Sequence, residues 1–472
     1  MQSTNTERKP NPRRRKRSKL QIFKESYLPV IIVAITVILL LVFIIGGIRK
    51  NRPDTPPEES TSSTSSTNSS STEDTGAALE AEAQALLQQA AIFAADYDYA
   101  GAVAVLETFS GELAAHSELQ IAHAQYTEMR DSMVEWSASQ VVNLSFHVLI
   151  ADPQRAFNDD VYGRSYRRNF ITTTEFSAIL QQLYDNGYML VSLSDFYSTE
   201  FRADLGRDVY VENTLLLPEG RIPVMLTETN ANYYSYMVDS NSDGKPDANG
   251  DGFAYNLCYG ENGFYNELVL SDGTIVSGAY DMVPILEDFI AANPDFSFRG
   301  ARAIIAITGY DGILGHRVHY TKLTEAQRSE ARIAAANVAQ ALRDHGYQIA
   351  CFTYGNEDYN ALSATEIQSD LQKWAERVAA IIGEVDILVY PKETDIIGED
   401  NYTGNSKFNV MYNAGYRFFL GSGAVAWNQV NDLYIRHNRL MVTGSYLTGN
   451  PAWYEALFDA SAVLDPYRAS FN

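Results

Sequence analysis

The 472-residue sequence predicts an α/β protein: a closed (β/α) barrel of seven or eight units, preceded by one transmembrane helix and a small all-α stalk. Three observations predict it. Residues 27–48 form an uncharged apolar run, residues 77–137 repeat apolar side chains at helical spacing, and beyond Val141 short apolar runs alternate with capped helical stretches. With 46% apolar residues the chain can bury a large core, which excludes a wholly disordered or rod-like protein.

Residues 1–26 are a basic arm with nine cationic and two acidic side chains. At about 1.5 Å per residue, the 22 residues of 27–48 rise about 33 Å as a helix, the thickness of a bilayer core. Only Arg49, Lys50 and Arg52 follow directly, so the excess of positive charge places the N-terminus in the cytoplasm and the rest outside: a single-pass signal-anchor in the cell membrane. No Ala-x-Ala-like site ends the run, which argues against a cleaved signal peptide. The remaining residues hold 24 basic and 57 acidic side chains, a formal charge of −33 against −23 for the whole chain. Such a surface repels phosphates, so no nucleic-acid partner is expected.

Residues 53–75 contain 14 Ser or Thr and no large apolar side chain, the composition of a disordered linker. Residues 76–138 then place Leu79, Ala83, Leu86, Leu87, Ala90 and Ala91 on one helix face, Val103, Val105, Leu106 and Phe109 on a second, and Leu119, Ala122, Tyr126 and Met129 on a third. A helical stalk and one tetratricopeptide-like unit both fit; a single unit falls short of the several repeats an array needs.

Residues 141–470 form the large domain. Candidate strands are 143–149, 189–193, 223–227, 303–307, 348–353, 386–389, 417–420 and 440–443. Thr324-x-x-Gln327 and Ser363-x-x-Glu366 are capping boxes that start helices between them. Parallel strands joined by such helices close into a barrel that works at the C-terminal ends of its strands.

Several segments of this domain resemble a known family. SFHVLI (145–150), FITTTEFSAILQQLYDNGYMLVSLSDF (170–196) and IPVMLTETNANYY (222–234) follow the order of the polysaccharide deacetylases of the NodB-homology, carbohydrate esterase family 4 group. PDFSFRGARAIIAITGYDGILG (294–315) looks like the membrane-tethered bacterial members. The resemblance implies a distorted (β/α)7–8 barrel that removes acetyl groups from glycans with a divalent metal held by one Asp and two His, a second Asp acting as base. Carried over by position, the Asp pair falls on Thr229 and Asn230, and the His-x-x-x-His pair on Phe352 and Asn356. None of these four side chains can replace the group it stands for: Phe ligates no metal, and a hydroxyl or amide is too weak a base. The resemblance therefore implies a pseudoenzyme that has lost the family's catalytic metal. A relocated site drawn from His147, Glu228, Glu357, Asp358, Lys392 or Glu393 is the competing reading. His316-x-x-His319 reads as a surface pair.

The insertion 239–252 repeats Asp-x-Asn-x-Asp-Gly, with Asp239, Asn241, Asp243, Asp247, Asn249 and Asp251 as oxygen donors for a structural calcium ion. The same residues also favour turns for backbone reasons alone. Cys258 and Cys351 are the only cysteines; a disulfide and two buried thiols both remain open. Thirty tyrosines is a high count, and Tyr233, Tyr234, Tyr310, Tyr354 and Trp427 near the strand ends are candidates for stacking on sugar rings. The resulting expectation is a surface-exposed protein that binds cell-envelope polysaccharide without hydrolysing it. A working deacetylase with a rearranged site and a calcium-dependent protein-interaction module are the alternatives.

Overall fold

The computed structural model describes residues 70–469 except 159, 399, 450 and 451. The basic arm, the 27–48 span and most of the 53–75 linker lie outside the described residues. Among the described residues no helix is long and apolar enough to cross a membrane. From Asp74 onward the chain is one compact unit.

Three helices, α1 (Ser70–Ala95), α2 (Tyr99–Leu106) and α3 (Ser117–Asp131), occupy the stretch read as a stalk. Ala83 and Ala90 of α1, Ala102 and Leu106 of α2 and Leu119 of α3 bury one another in a small core of their own. Asp98 starts α2 by accepting the Gly101 N–H at 2.9 Å.

The large domain is built on seven strands: β1 (Val142–His147), β2 (Ile222–Thr229), β3 (Ile304–Ile307), β4 (Gln348–Cys351), β5 (Ile387–Val389), β6 (Phe418–Ser422) and β7 (Tyr434–Met441). Each pairs in parallel with the next, and β7 pairs with β1, so the sheet closes and leaves no edge. Helices α4 (Thr173–Asp185), α5 (Met282–Ala292), α6 (Glu325–Asp344), α7 (Ala364–Trp374) and α8 (Ser406–Asn413) lie in the crossovers. Both expected capping boxes start their helices, Thr324 on α6 and Ser363 on α7.

Two of the eight expected strands are corrected. The run at 189–193 is no barrel stave: Tyr188–Leu190 pairs with the first residues of β2, while β3 takes the second half of the same edge. The last strand runs over Tyr434–Met441 rather than 440–443, because Arg436, His437 and Arg439 give a buried strand the composition of a loop. Antiparallel additions have no counterpart in the sequence reading. The largest is a three-stranded sheet, Asn256–Gly260, Gly263–Val269 and Ile275–Gly278, inserted between β2 and β3.

The helical group packs at the N-terminal end of the barrel. Tyr97 stacks on Phe298 just before β3, with ring centres 5.3 Å apart, and Arg299 Nε donates to the Asp96 carbonyl at 2.8 Å. Side chains alternate in and out along each strand, and the interior is divided. Ile304, Ala306, Ala350, Ile387, Val389 and Leu420 fill the side formed by β3 to β6. The side formed by β7, β1 and β2 is polar: Thr227 Oγ1 donates to Asn143 Oδ1 at 2.8 Å, and His437 and Arg439 are fully buried. Neither ring nitrogen of His437 has a partner among the described residues, and burial pushes its pKa down to about 4, so the ring is neutral at physiological pH.

Candidate functional site

At the C-terminal ends of the strands the barrel opens into a cavity of about 170 Å³. Its wall is formed by His147 from β1, Thr229 and Asn230 at the end of β2, Phe352 and Asn356 after β4, Tyr390, Lys392 and Glu393 after β5, and Arg439 and Met441 from β7. The four positions carried over from the deacetylase resemblance thus share one cavity. Of the six side chains considered for a relocated site, His147, Lys392 and Glu393 line it. Glu228 faces outward into the wall against Asp281, Glu357 is exposed, and Asp358 accepts a hydrogen bond from Thr394 at 2.7 Å.

Several loop residues at this mouth have left-handed backbone: Asn230 (φ 59°), Thr353 (57°), Asn356 (55°), Lys392 (58°) and Glu393 (59°). For residues other than glycine such conformations cost roughly 1–3 kcal/mol each and persist where surrounding structure imposes them.

The hydrogen bonds fix the orientation of each group. Thr229 Oγ1 donates its single hydrogen to the Phe146 carbonyl at 3.0 Å and lies 2.8 Å from His147 Nδ1. Burial and the nearby charges of Arg439 and Lys392 push the His147 pKa down to about 4. Tyr234 donates its hydroxyl hydrogen to Asn230 Oδ1 at 2.8 Å, which leaves the Asn230 amide NH₂ turned toward His147. Arg439 lies on the cavity wall; Nε donates to the Gly421 carbonyl (3.1 Å), Nη1 to Ser145 Oγ (2.8 Å) and Nη2 to the Tyr390 carbonyl (3.1 Å). Burial lowers its pKa to about 10, so it remains a cation at neutral pH.

The lining does not fit the divalent metal that the resemblance implies. Only His147 and Glu393 among these residues are of the type that ligates such a metal, and no three His, Cys, Asp or Glu side chains among the described residues come together as a metal-holding group. His316 and His319 point to separate carbonyls, those of Leu257 and Arg377.

No family model and no curated protein matches the chain. Among solved structures it is similar to a de-N-acetylase from Aggregatibacter actinomycetemcomitans, with 14% identity, TM-score 0.35, and 64% of this chain and 95% of that one covered. It is also similar to the Streptococcus pyogenes deacetylase PplD in complex with acetate, with 12% identity, TM-score 0.31, and 71% and 100% covered.

The aromatic candidates divide. Tyr233 is fully buried and cannot meet a sugar, which corrects that expectation: its hydroxyl lies within the wall, where Asn266 Nδ2 donates to it at 3.2 Å. Tyr354 and Trp427 carry Arg377 and Arg436 over their rings. Tyr234 and Tyr310 belong to a surface ladder. Tyr162 stacks on Tyr236 at 5.9 Å, Tyr236 on Tyr234 at 5.8 Å, and Tyr310 meets Tyr234 edge-on at 5.7 Å. Tyr162, Tyr236 and Tyr310 are 52%, 49% and 57% exposed, enough to offer ring faces to a ligand. Tyr162 is absent from the sequence reading, although Tyr162 and Tyr166 at i, i+4 place both rings on one helix face.

In the 239–252 loop the acidic oxygens serve the loop's own backbone. Asp239 accepts the Asp243 and Gly244 N–H groups at 3.1 and 2.7 Å, Asn241 accepts Asp243 N–H, Asp243 accepts Lys245 N–H, and Asp247 accepts those of Ser240 and Asn249. Asp251 accepts from the Tyr166 hydroxyl at 2.7 Å. Turn chemistry accounts for these contacts. Cys258 and Cys351 are free thiols. Arg439 is the residue that sequence reasoning missed. Its signal is the alternation Ile435, His437, Arg439, Met441, which puts His437 and Arg439 on the inner face of β7.

Proposed function

We propose that this protein is a single-pass, membrane-anchored member of the polysaccharide-deacetylase-like barrels that binds cell-envelope glycan outside the cell without hydrolysing it. The observation that carries this reading is the chemistry of the mouth. Thr229, Asn230, Phe352 and Asn356 share one cavity, and none of them can ligate a hydrolytic metal or serve as a strong base. The Tyr162–Tyr236–Tyr234–Tyr310 ladder, joined to the cavity through the Tyr234–Asn230 hydrogen bond, supplies faces for sugar rings. The anchor rests on the uncharged run at 27–48 and the cations before it.

One observation favours a second reading, hydrolysis without a metal: His147, an imidazole held neutral by burial, lines the same cavity as Arg439. A single experiment separates the two. The full chain is incubated with acetylated glycan, with added zinc or cobalt and with chelator, and both released acetate and retained glycan are measured. Binding without acetate release, weakened several-fold by Tyr310→Ala, is the expected result. Release abolished by chelation overturns the non-catalytic reading; release that survives chelation and is lost in His147→Ala establishes the second.

A further inference from the structure

Three arginines are buried to 2% exposure or less, and two of them face a carboxylate: Arg436 donates to Asp395 at 2.8 Å and Arg468 to Glu175 at 2.8 Å. The third is Arg439. Among the described residues no carboxylate stands within ion-pair distance of it, and its partners are two backbone carbonyls, a serine hydroxyl and, at 3.7 Å, the Met441 thioether. A guanidinium has five N–H hydrogens. One on Nη2 is therefore unclaimed, and one on Nη1 meets only a weak sulfur acceptor. A buried cation left this way is costly unless an anion completes it.

The surroundings fit that anion. Lys392 stands on the same cavity, exposed, with no ion pair or hydrogen bond among the described residues, its backbone held in the left-handed conformation. The Asn230 amide NH₂ is turned inward because its oxygen is taken by Tyr234. Glu393, the acid of the lining, acts on Arg439 through its charge but forms no ion pair with it or with Lys392 among the described residues, and one acid against two cations leaves one positive charge in excess. At about 170 Å³ the cavity takes one small substituent rather than a sugar chain. The ring that bears the substituent would lie outside, against Tyr310 and Tyr236. On the glycan reading above, we infer that the mouth is an anion site that selects glycans carrying a carboxylate or a phosphate or sulfate ester, held by Arg439 and Lys392.

The test uses the full chain in detergent and calorimetric titration at physiological salt. Its probes are a hexuronate oligosaccharide, a sulfated or phosphorylated one, a neutral N-acetylated one of the same length, and sodium phosphate and sodium acetate alone. An acidic oligosaccharide is expected to bind about tenfold more tightly than the neutral one, the effect of one charge-assisted contact pair. Which acidic probe binds identifies the substituent. Lys392→Gln, at an exposed position, should cut the preference several-fold, and Arg439→Met should remove it; if Arg439→Met does not fold, Lys392→Gln decides. Equal affinity for acidic and neutral oligosaccharides overturns the anion site and leaves the glycan reading standing. Phosphate or acetate binding that Lys392→Gln weakens, with no oligosaccharide bound, upholds the anion site and overturns the glycan reading. Binding of none of the probes overturns both.

Discussion

Glu228 and Thr229 are neighbours on β2, yet they face opposite charges. On the inner side Thr229 looks into a mouth that holds Arg439 and Lys392 and opens to the outside. On the outer side Glu228 is sealed in the wall against Asp281 and Tyr233, with no cation among them. Asp281 accepts the Leu149 N–H at 2.8 Å, while neither Glu228 oxygen makes a well-formed hydrogen bond among the described residues. Burial and the facing Asp281 hold the Glu228 carboxyl well above the usual range, and burial raises that of Asp281 as well, so the pair resists carrying two charges. The difference is access. A cation beside a cavity can be met by solvent or a ligand, whereas two acids closed in a wall can meet nothing, and one of them must be neutral.

The strongest way to sharpen this contrast is a buried charge that is fully paired. Glu175 accepts from Arg468 at 2.5 and 2.8 Å and from the Thr172 N–H at 2.8 Å, all of it buried. Glu175→Ala leaves Arg468 in the core with backbone carbonyls but no facing carboxylate and should cost about 3–5 kcal/mol in urea unfolding. A loss under about 1 kcal/mol would mean that an unmatched buried arginine is tolerated here, and Arg439 would then need no anion.

Next in size is the pH response of the outer wall. A carboxyl whose folded pKa is raised stabilises the fold fully below its unfolded value and loses that contribution as pH rises through the folded one. From about pH 4.3 upward the protein should therefore lose up to about 1.4 kcal/mol per pH unit from Glu228 until the raised folded pKa is passed, and Glu228→Gln should flatten that limb. His147 and His437 act the other way. Their pKa values are lowered to about 4, so their contribution is present above about pH 6.5 and lost below it, and the acid limb should survive in Glu228→Gln. Melting temperatures from pH 5 to 9 decide; an unchanged alkaline limb in Glu228→Gln would remove the protonated carboxyl from the wall.

The smallest effect concerns the 239–252 loop, acidic like the outer wall but, apart from the buried Asp239, open to solvent. Its carboxylates already bind backbone N–H groups, so millimolar calcium should shift the melting temperature little. A rise of several degrees, lost in Asp239→Asn, would establish the calcium site.

Much of the fold is legible in the chain because its signals are local. The capping boxes at Thr324 and Ser363 and the apolar runs of six barrel strands depend on residues within a few positions of one another. Where a strand carries charge inside the barrel, as at Arg436, His437 and Arg439, the local signal reverses and β7 is displaced. The carried-over positions Thr229, Asn230, Phe352 and Asn356 were likewise readable as a set, but their company was not.

By itself the amino-acid order determined that strands and helices alternate, that the positions the resemblance assigns to metal and base read Thr229, Asn230, Phe352 and Asn356, and that tyrosine is plentiful. Only the closed barrel decided that His147, Lys392 and Arg439 meet those replacements at one mouth, that Tyr233 is buried while Tyr162 is exposed, and that Glu228 faces Asp281. The reason is geometric: these partners lie tens to hundreds of residues apart, and their distances depend on the register of seven paired strands rather than on any neighbour in the chain.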